Sequence, residues 1–175
     1  MANPQVGIVM GSDSDLEVMS EAPKMLDEFK IPYEVTILST HRTPEETARY
    51  AKSVKSRGLK IIIAGAGGVP GLPGSIAAHS ALPVIGVPLK SKLSDGVDSL
   101  FSTVSMPAGV PVATVGIDSA KNAAILAAEI IGLNDPKITK KIEAYKENYR
   151  KEVLAKNSKL QKIGWQNYLK QKEKK

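Results

Sequence analysis

The chain has 175 residues, a length that fits one domain with an appendage. Hydrophobic residues make up 42% of it and aromatic residues only 5%, so aliphatic side chains must fill the core. The absence of cysteine excludes disulfides, thiolate nucleophiles and cysteine-ligated metals, and it fits a cytoplasmic protein. The first 15 residues lack a basic segment followed by a long apolar run, so we expect no secretory signal and no membrane partner.

The net charge of +6 is concentrated at one end of the chain. Residues 137–175 hold 13 Lys and Arg against 4 Asp and Glu, or +9, whereas residues 1–136 hold 11 against 14, or −3. A lysine-rich tail is typical of a solvated helix face, and a nucleic-acid surface there is the less favoured alternative. We therefore expect no nucleic-acid partner.

Apolar, strand-sized runs alternate with helical patterns along the chain. The predicted strands are residues 5–10, 33–38, 59–65, 83–88 and 110–115. The predicted helices are residues 14–29, 43–56, 72–81 and 118–131, with a short helix within 89–109. This alternation, with strands that are almost continuously apolar, indicates right-handed crossovers and a parallel sheet buried on both faces. We predict an α/β fold: a three-layer α/β/α sandwich with a doubly wound, flavodoxin-like sheet.

Local signals mark the ends of the first two helices. Ser14 or Asp15 is a candidate N-cap for the first, and Pro23 predicts a kink within it. Thr43 is expected to cap the second helix, with Glu46 at the capping-box position.

The last predicted helix of the domain is alanine-rich, with Asp118 as its cap and Gly132 at its end. Beyond a turn at residues 134–136, apolar residues recur every three or four positions, which predicts one stripe on a helix. We therefore place a nucleotide-binding catalytic domain at 1–133 and a helical extension at 134–175. The extension is expected to pack on its own or a neighbouring subunit. The stripe consists of Ile138, Ile142, Tyr145, Tyr149 and Val153.

Small and polar residues follow the strands, and in a parallel sheet the ends of these strands share one rim. After the first strand, GSDSD offers hydroxyls at Ser12 and Ser14 and a carboxylate at Asp15, ahead of a helix N-terminus that favours an anion. Either serine could bind phosphate, and Asp15 should face a sugar because it would repel phosphate. Helix capping alone is the alternative explanation.

After the second strand, the segment STHRTP carries Ser39, His41 and Arg42. A histidine on a loop can act as acid or base near neutral pH, and an arginine is a permanent bidentate partner for phosphate or carboxylate. A surface histidine beside a surface arginine is the alternative. The other histidine, His79, falls within a predicted helix and is interpreted as a packing or surface residue.

After the third strand comes AGAGGVPGLPG, with five glycines in residues 64–74. It lacks the GK[ST] of a phosphate-binding Walker loop. It also lacks the acidic residue that follows a dinucleotide fingerprint about 20 residues on. Its backbone could instead approach a flat ring or a small anion closely. The chain has no zinc-ligand set and no serine-hydrolase elbow.

Several segments match one known family in its order over about residues 5–131. They are MGSDSD, HRTP, IIAGAGG, LPG, LPVIGVP, GVDSLFSTVSMPAGVPVATV and NAAILAA. By these the chain resembles the class I 5-(carboxyamino)imidazole ribonucleotide mutases of bacterial purine biosynthesis. The related carboxylases that use dissolved carbon dioxide typically carry His-Lys where this chain has His41-Arg42, and a Gly-Arg-Ser loop where it has Gly-Ala-Gly-Gly. Both positions favour the mutase class.

The resemblance implies a homo-octamer that acts on a small ribonucleotide without any cofactor. The reaction moves a carboxyl group from the exocyclic nitrogen of the imidazole to ring carbon 4, by decarboxylation and recarboxylation. It further implies that Ser12 and Arg42 hold phosphate, Asp15 holds ribose, and His41 moves the proton. Other expected substrate-binding residues are Ser14 and Ser39, and Gly67, Gly68, Gly71 and Leu72 of the wall facing the ring and its carboxylate.

One departure from the family pattern concerns the reaction. The family loop GGAAHLPG is GGVPGLPG here, so the second active-site histidine falls on Gly71, and Pro70 removes one amide donor. A lesser change is Thr40, where alanine is common. Three interpretations stay open: a working mutase, a carboxylase or decarboxylase of the same nucleotide, and a non-catalytic nucleotide-binding protein. Intact GSDSD and HRTP segments weigh against the third.

Overall fold

The computed structural model describes residues 3–68, 70–91 and 94–172. Its strands are β1 (Val6–Met10), β2 (Tyr33–Ile37), β3 (Ile61–Gly67), β4 (Val84–Leu89) and β5 (Ala113–Thr114). Its helices are α1 (Leu16–Met19), α2 (Glu21–Phe29), α3 (Pro44–Ser53), α4 (Leu72–His79), α5 (Val97–Val104), α6 (Ala120–Gly132), α7 (Pro136–Ile163) and α8 (Trp165–Lys172).

The five strands form one parallel sheet in the order β2-β1-β3-β4-β5. Successive side chains of a strand point to opposite faces, and β3 divides its residues accordingly. Ile61 and Ile63 join the apolar cluster beneath α2 and α6, whereas Ile62 and Ala64 join the cluster beneath α3 and α4. The predicted three-layer, flavodoxin-like sandwich is confirmed. From β1 the chain first adds β2 on one side of the sheet and then β3 on the other side, so the strand order reverses between β1 and β3. Ligands bind at such a reversal point in folds of this kind.

Two predicted elements differ in detail from expectation. The helix predicted over 14–29 begins with a 3-10 turn at Asp13–Asp15 and is interrupted at Ser20, three residues before the proline that was predicted to kink it. Pro23 has no N–H to donate to the carbonyl of Met19, so the first helix cannot continue through it. The last strand spans two residues instead of 110–115, and Pro111 within that run cannot donate to a ladder.

Two predicted helix caps differ from expectation. Thr43 occupies the N-cap position of α3, as predicted, but makes no capping bond; its hydroxyl accepts from the Ser39 N–H at 2.9 Å and donates to the Ser39 carbonyl at 3.0 Å. Thr43 therefore closes the loop before α3. Asp118 is not the cap of α6, because Ser119 occupies that position. The Asp118 carboxylate accepts from the Lys90 N–H at 3.0 Å instead.

The long C-terminal helix begins where the turn was predicted. Asp135 caps α7 by accepting from the Lys137 N–H at 3.0 Å. Ile138 and Ile142 are buried in the core, and Tyr145 meets Phe29 edge-on at 5.6 Å between ring centroids. Beyond these first turns the stripe is exposed, as are α8 and most of the basic tail. No helix among the described residues is long and apolar enough to cross a membrane.

Candidate active site

A cleft of about 650 Å³ lies at the carboxyl ends of β1, β2 and β3. That volume is typical of small-molecule sites. Nine of the ten residues predicted to form the site line this cleft, because parallel strands deliver their following loops to the same edge. They are Ser12, Ser14, Asp15, Ser39, His41, Arg42, Gly67, Gly71 and Leu72; Gly68 is the exception.

The segment after β1 is held by a capping box. The Ser12 hydroxyl accepts from the Ser14 N–H at 3.4 Å, and the Asp15 carboxylate accepts from the Ser12 N–H at 3.1 Å. Ser12, rather than Ser14 or Asp15, is thus the capping side chain. Burial raises the pKa of Asp15, while its hydrogen bonds from the backbone of Ser12 and Gly11 act in the opposite direction. A carboxylate that is partly desolvated before any ligand arrives is well suited to accept hydrogen bonds from one.

Arg42 ties the loop after β2 to the end of β1. Its guanidinium donates to the Gly11 carbonyl at 3.1 Å and to the Ser39 hydroxyl at 3.3 Å. These bonds fix the direction of the side chain, which is otherwise exposed. They engage two of the five N–H donors of the guanidinium, so donors are left to face an anion in the cleft.

Gly68 connects the glycine-rich loop to α5. It adopts a φ of +73°, a left-handed conformation that favours glycine. Its carbonyl accepts a hydrogen bond at 3.1 Å from the hydroxyl of Ser99, a fully buried residue of α5. The neighbouring Val69 lies outside the described residues. The structure gives Gly68 a place in the loop's support, and its role as a substrate-binding residue stays a prediction.

The cleft also contains a cation that the sequence analysis missed. Lys90 follows β4 and lines the cleft. Its ammonium lies 3.9 Å from the Asp118 carboxylate, and its backbone N–H binds the same group. The missed signal is a lysine two residues after Pro88, the residue with which the predicted strand ended. Also missed in the lining are Gly11, Thr40, Ala66 and Pro70.

Comparison with known proteins identifies the family. The model for AIR carboxylase matches residues 5–152. The chain belongs to the AIR carboxylase family. It is 56% identical over 170 residues to the N5-carboxyaminoimidazole ribonucleotide mutase of Thermotoga maritima, covering 97% of this chain and 99% of that protein. It is 55% identical over 166 residues to the mutase of Pyrococcus horikoshii, covering 95% and 94%.

Two further proteins extend the comparison. Phosphoribosylaminoimidazole carboxylase of Schizosaccharomyces pombe is 55% identical over 166 residues, which cover 95% of this chain but 30% of that protein. The crystal structure of Treponema denticola PurE matches at a TM-score of 0.82 with 32% identity, covering 90% of this chain and 98% of that one. Relatives named as mutases and a relative named as a carboxylase are about equally identical to this chain, so only the residues of the cleft can distinguish the two activities.

The two departures from the family pattern are neighbours in space. A Cβ added to Gly71 would lie 3.7 Å from the His41 Nε2 and 3.7 Å from the Thr40 Cγ2. Both distances are ordinary contacts. Gly71 has φ −82° and ψ −11°, a right-handed conformation that any residue adopts. Neither backbone geometry nor crowding therefore requires glycine at this position, and its effect is an open space beside the imidazole.

His79 lies outside the cleft, as predicted. It is exposed at the end of α4, with its Nδ1 2.9 Å from the Ser75 carbonyl oxygen. Within the part of the chain that the structure describes, no group of three or more His, Cys, Asp or Glu could hold a metal ion. Of the two histidines, only His41 is placed to meet a ligand in the cleft.

Proposed function

We propose that this protein is a mutase of purine biosynthesis that converts N5-carboxyaminoimidazole ribonucleotide to 4-carboxy-5-aminoimidazole ribonucleotide. Relatives that are 55–56% identical over nearly the whole chain are named for this reaction. The observation that carries the proposal is the arrangement of one cleft. Arg42 and Ser12 offer an anion site at one end, and the His41 imidazole faces the open space at Gly71.

The chemistry of the lining supports one placement of the substrate, which is part of the proposal. Its phosphate binds Ser12 and Arg42, because a directed guanidinium and a hydroxyl suit a phosphate. Its ribose hydroxyls donate to Asp15, with Ser14 and Ser39 completing the polar side. The flat ring lies along the backbone of Gly67, Gly71 and Leu72, where the lack of long side chains permits close approach.

His41 moves one proton in each half of the reaction. It first protonates the exocyclic nitrogen as the bond from that nitrogen to the carboxyl carbon breaks, which releases carbon dioxide and the aminoimidazole. Ring carbon 4 then attacks the trapped carbon dioxide, and His41 takes the proton that this carbon loses. The proton returns to His41, so the conversion is an isomerisation that consumes no co-reactant.

Carbon dioxide must not escape between the two steps, which requires a site closed to water. His41 and Arg42 are exposed in a single chain, so other groups must complete the enclosure. We infer that the protein is a cytoplasmic homo-octamer, as the resemblance implies, with the extension of 134–175 packing on a neighbouring subunit. Exposed apolar side chains on two elements support self-association. They are Val35 and Ile37 of β2 and Val97, Phe101 and Val104 of α5.

A carboxylase or decarboxylase acting on the same nucleotide is the second candidate. Gly71 favours it, because the histidine that the mutase pattern places there is missing. The relative named as a carboxylase, at 55% identity, also supports it. A non-catalytic nucleotide-binding homologue is the third, and the complete polar lining of the cleft argues against it.

The test supplies each carboxylated isomer separately to the purified protein, with and without bicarbonate. Products are followed by mass spectrometry and ultraviolet absorbance. Interconversion without bicarbonate is expected for the mutase. Loss of carbon dioxide without isomer formation would indicate a decarboxylase, and carboxylation of aminoimidazole ribonucleotide only with bicarbonate would indicate a carboxylase. Binding without any conversion would leave the non-catalytic interpretation.

A further inference from the structure

Thr40 lines the cleft next to His41, but the proposed mechanism gives its side chain no role. Its Oγ1 is fully buried and has no hydrogen-bond partner among the described residues. Buried hydroxyls are nearly always bonded, so one without a partner calls for an explanation such as a ligand that is absent. Thr40 is the residue before His41, so a rotation of its side chain would bring this hydroxyl to the reacting end of the substrate.

The space in front of Thr40 exists because residue 71 is glycine. The Thr40 Cγ2 lies 3.7 Å from the point where a Cβ of Gly71 would stand, and the His41 Nε2 lies at the same distance from it. A small group in this space would therefore touch both side chains. Gly71 also precedes the first turn of α4, whose free N–H groups favour a negative charge.

We propose that the hydroxyl of Thr40 binds the carboxyl group that is being transferred, and that Thr40 thereby determines specificity for the carboxylated nucleotide. A rotation of about 120° around χ1 moves the hydroxyl to the position from which the methyl group now faces the space, and the methyl group moves to the position of the Cβ hydrogen, again in a staggered conformation. The hydroxyl then donates a hydrogen bond to a carboxylate oxygen, so it gains the partner that it lacks in the free protein. The same bond holds the carboxyl group within reach of His41.

This inference rests on the proposed function, since it names the carboxylated nucleotide as the ligand. The matched variants are Thr40→Val, which keeps the shape and removes the hydroxyl, and Thr40→Ser, which keeps the hydroxyl and removes the methyl group. A hydrogen bond to a charged group corresponds to about tenfold to hundredfold in affinity. We therefore expect Thr40→Val to bind the 4-carboxylated nucleotide at least about tenfold more weakly in calorimetry. Its affinity for aminoimidazole ribonucleotide should change less than about twofold, because that ligand lacks the carboxyl group.

Two further readouts separate a binding role from a structural one. The Tm of Thr40→Val should equal or exceed that of the wild type, because no bond is lost in the free protein. During turnover, Thr40→Val should release more free aminoimidazole ribonucleotide per product formed, since the carboxyl group is held less firmly. Thr40→Ser should resemble the wild type in binding and in this release ratio.

A third variant, Gly71→Ala, fills the space while leaving the hydroxyl in place. Its added Cβ makes only ordinary contacts, so it should fold and still lose affinity selectively for the carboxylated nucleotide. Equal weakening of both nucleotides by Thr40→Val, no weakening of either, or a clearly lowered Tm would each overturn the inference. A wild type that binds selectively through Thr40 but converts neither isomer would contradict the proposed mutase while supporting the role of Thr40.

Discussion

At the scale of single residues, the proposed mechanism separates the groups that bind the nucleotide from the one that moves its proton. His41→Asn keeps a polar side chain of similar reach but cannot exchange a proton near neutral pH. Acid–base groups contribute about 10² to 10⁴ in rate, so kcat should fall by at least about a hundredfold. Nucleotide affinity should stay near the wild-type value, since Arg42 and Ser12 are unchanged. Steady-state kinetics and calorimetry measure the two effects separately.

The reciprocal control for this variant is Arg42→Ala. It removes the guanidinium that now contacts Gly11 and Ser39, and it should weaken binding of every phosphorylated ligand. Arg49→Ala provides the background, because Arg49 is exposed on α3 and does not line the cleft. Near-normal turnover in His41→Asn would remove His41 from the mechanism, whatever the arginine variants show.

Asp15 links the site to stability. Burial raises the pKa of Asp15 in the folded protein above the usual 3.8. At a pH between the unfolded-state and folded-state pKa values, the native protein keeps a proton that the unfolded chain has lost. The free energy of unfolding therefore falls as pH rises through this range, and at neutral pH the ionised carboxylate destabilises the ligand-free protein. We expect Asp15→Asn to raise Tm at pH 7 by no more than about 2 °C, because water screens a partly exposed group.

The same variant should bind the nucleotide more weakly, since an amide accepts less strongly from ribose hydroxyls than a carboxylate does. Thermal unfolding at several pH values provides the check. The Tm advantage of Asp15→Asn over the wild type should shrink as pH is lowered toward 4. An advantage that grows on acidification would show that the native state lowers this pKa.

A site residue could be predicted from the sequence only where the signal for it lies in the neighbouring residues of the chain. Ser12, His41 and Arg42 were predictable because each lies in the short segment that follows a predicted strand. Lys90 also follows a predicted strand by two residues, but its contact with Asp118, 28 residues further along, could not be read from the sequence. The relation between Thr40 and Gly71 is equally distant in sequence. Such pairs are created by the fold, and no local pattern contains them.

At the scale of elements, strand and helix types were predictable from apolar periodicity, whereas caps and breaks were not. Thr43 has the residue type and spacing of a cap, yet its hydroxyl is engaged by Ser39. Ser20 has no breaking tendency of its own, and Pro23 acts on it from three positions away. Competition among nearby hydrogen-bonding groups decides these details, and propensity cannot settle that competition.

One element prediction concerns the contact of β4 with α5. A Cβ at Gly86 would lie 2.4 Å from the Thr103 Cγ2 and 2.8 Å from the Val112 Cγ1, both on stiff, branched side chains. Gly86→Ala should therefore overpack the core and cost about 1–3 kcal/mol of unfolding free energy. In a domain of this size that lowers Tm by roughly 2–12 °C.

The matched control for Gly86→Ala is Gly71→Ala, whose Cβ meets nothing closer than 3.7 Å. Thermal unfolding of both at one protein concentration should show a loss for the first and little change for the second. Displacement of α5 should also loosen the Ser99 bond to Gly68 and reduce activity. Equal Tm values for the two variants would mean that the sheet yields to the added methyl group without cost.

At the scale of the whole molecule, the sheet order explains why one cleft collects the polar loops. The chain reverses direction across the sheet between β1 and β3, so the segments after β1, β2 and β3 border the same opening. The two parts of the chain carry opposite charges, −3 for residues 1–136 and +9 for 137–175. Charge attraction and apolar contact are therefore two separate ways for the tail of one copy to bind the body of another, and the tail variants below test them separately.

The boundary between the packed and the exposed part of α7 determines where a C-terminal truncation should begin. Ile138, Ile142 and Tyr145 pack on the chain's own core, so the cut should follow Arg150 and leave them in place. We expect this truncation to remain folded, with its helical circular dichroism signal reduced only by the removed turns of α7 and α8. We also expect it to sediment as an assembly of fewer subunits, and hence of lower mass. The cause would be the loss of exposed apolar side chains that bury against a neighbour. These are Val153, Leu154, Trp165 and Leu169.

Two full-length variants distinguish apolar contact from charge. Trp165→Ser combined with Leu169→Ser should reproduce part of the fall in mass, because it removes apolar surface and keeps every lysine. Lys170→Glu combined with Lys172→Glu should leave the mass unchanged at physiological salt, where exposed charges are screened over about 8 Å. An unchanged number of subunits for the truncated chain would exclude a bridging tail. Dissociation by the lysine variant alone would assign the bridge to electrostatic attraction.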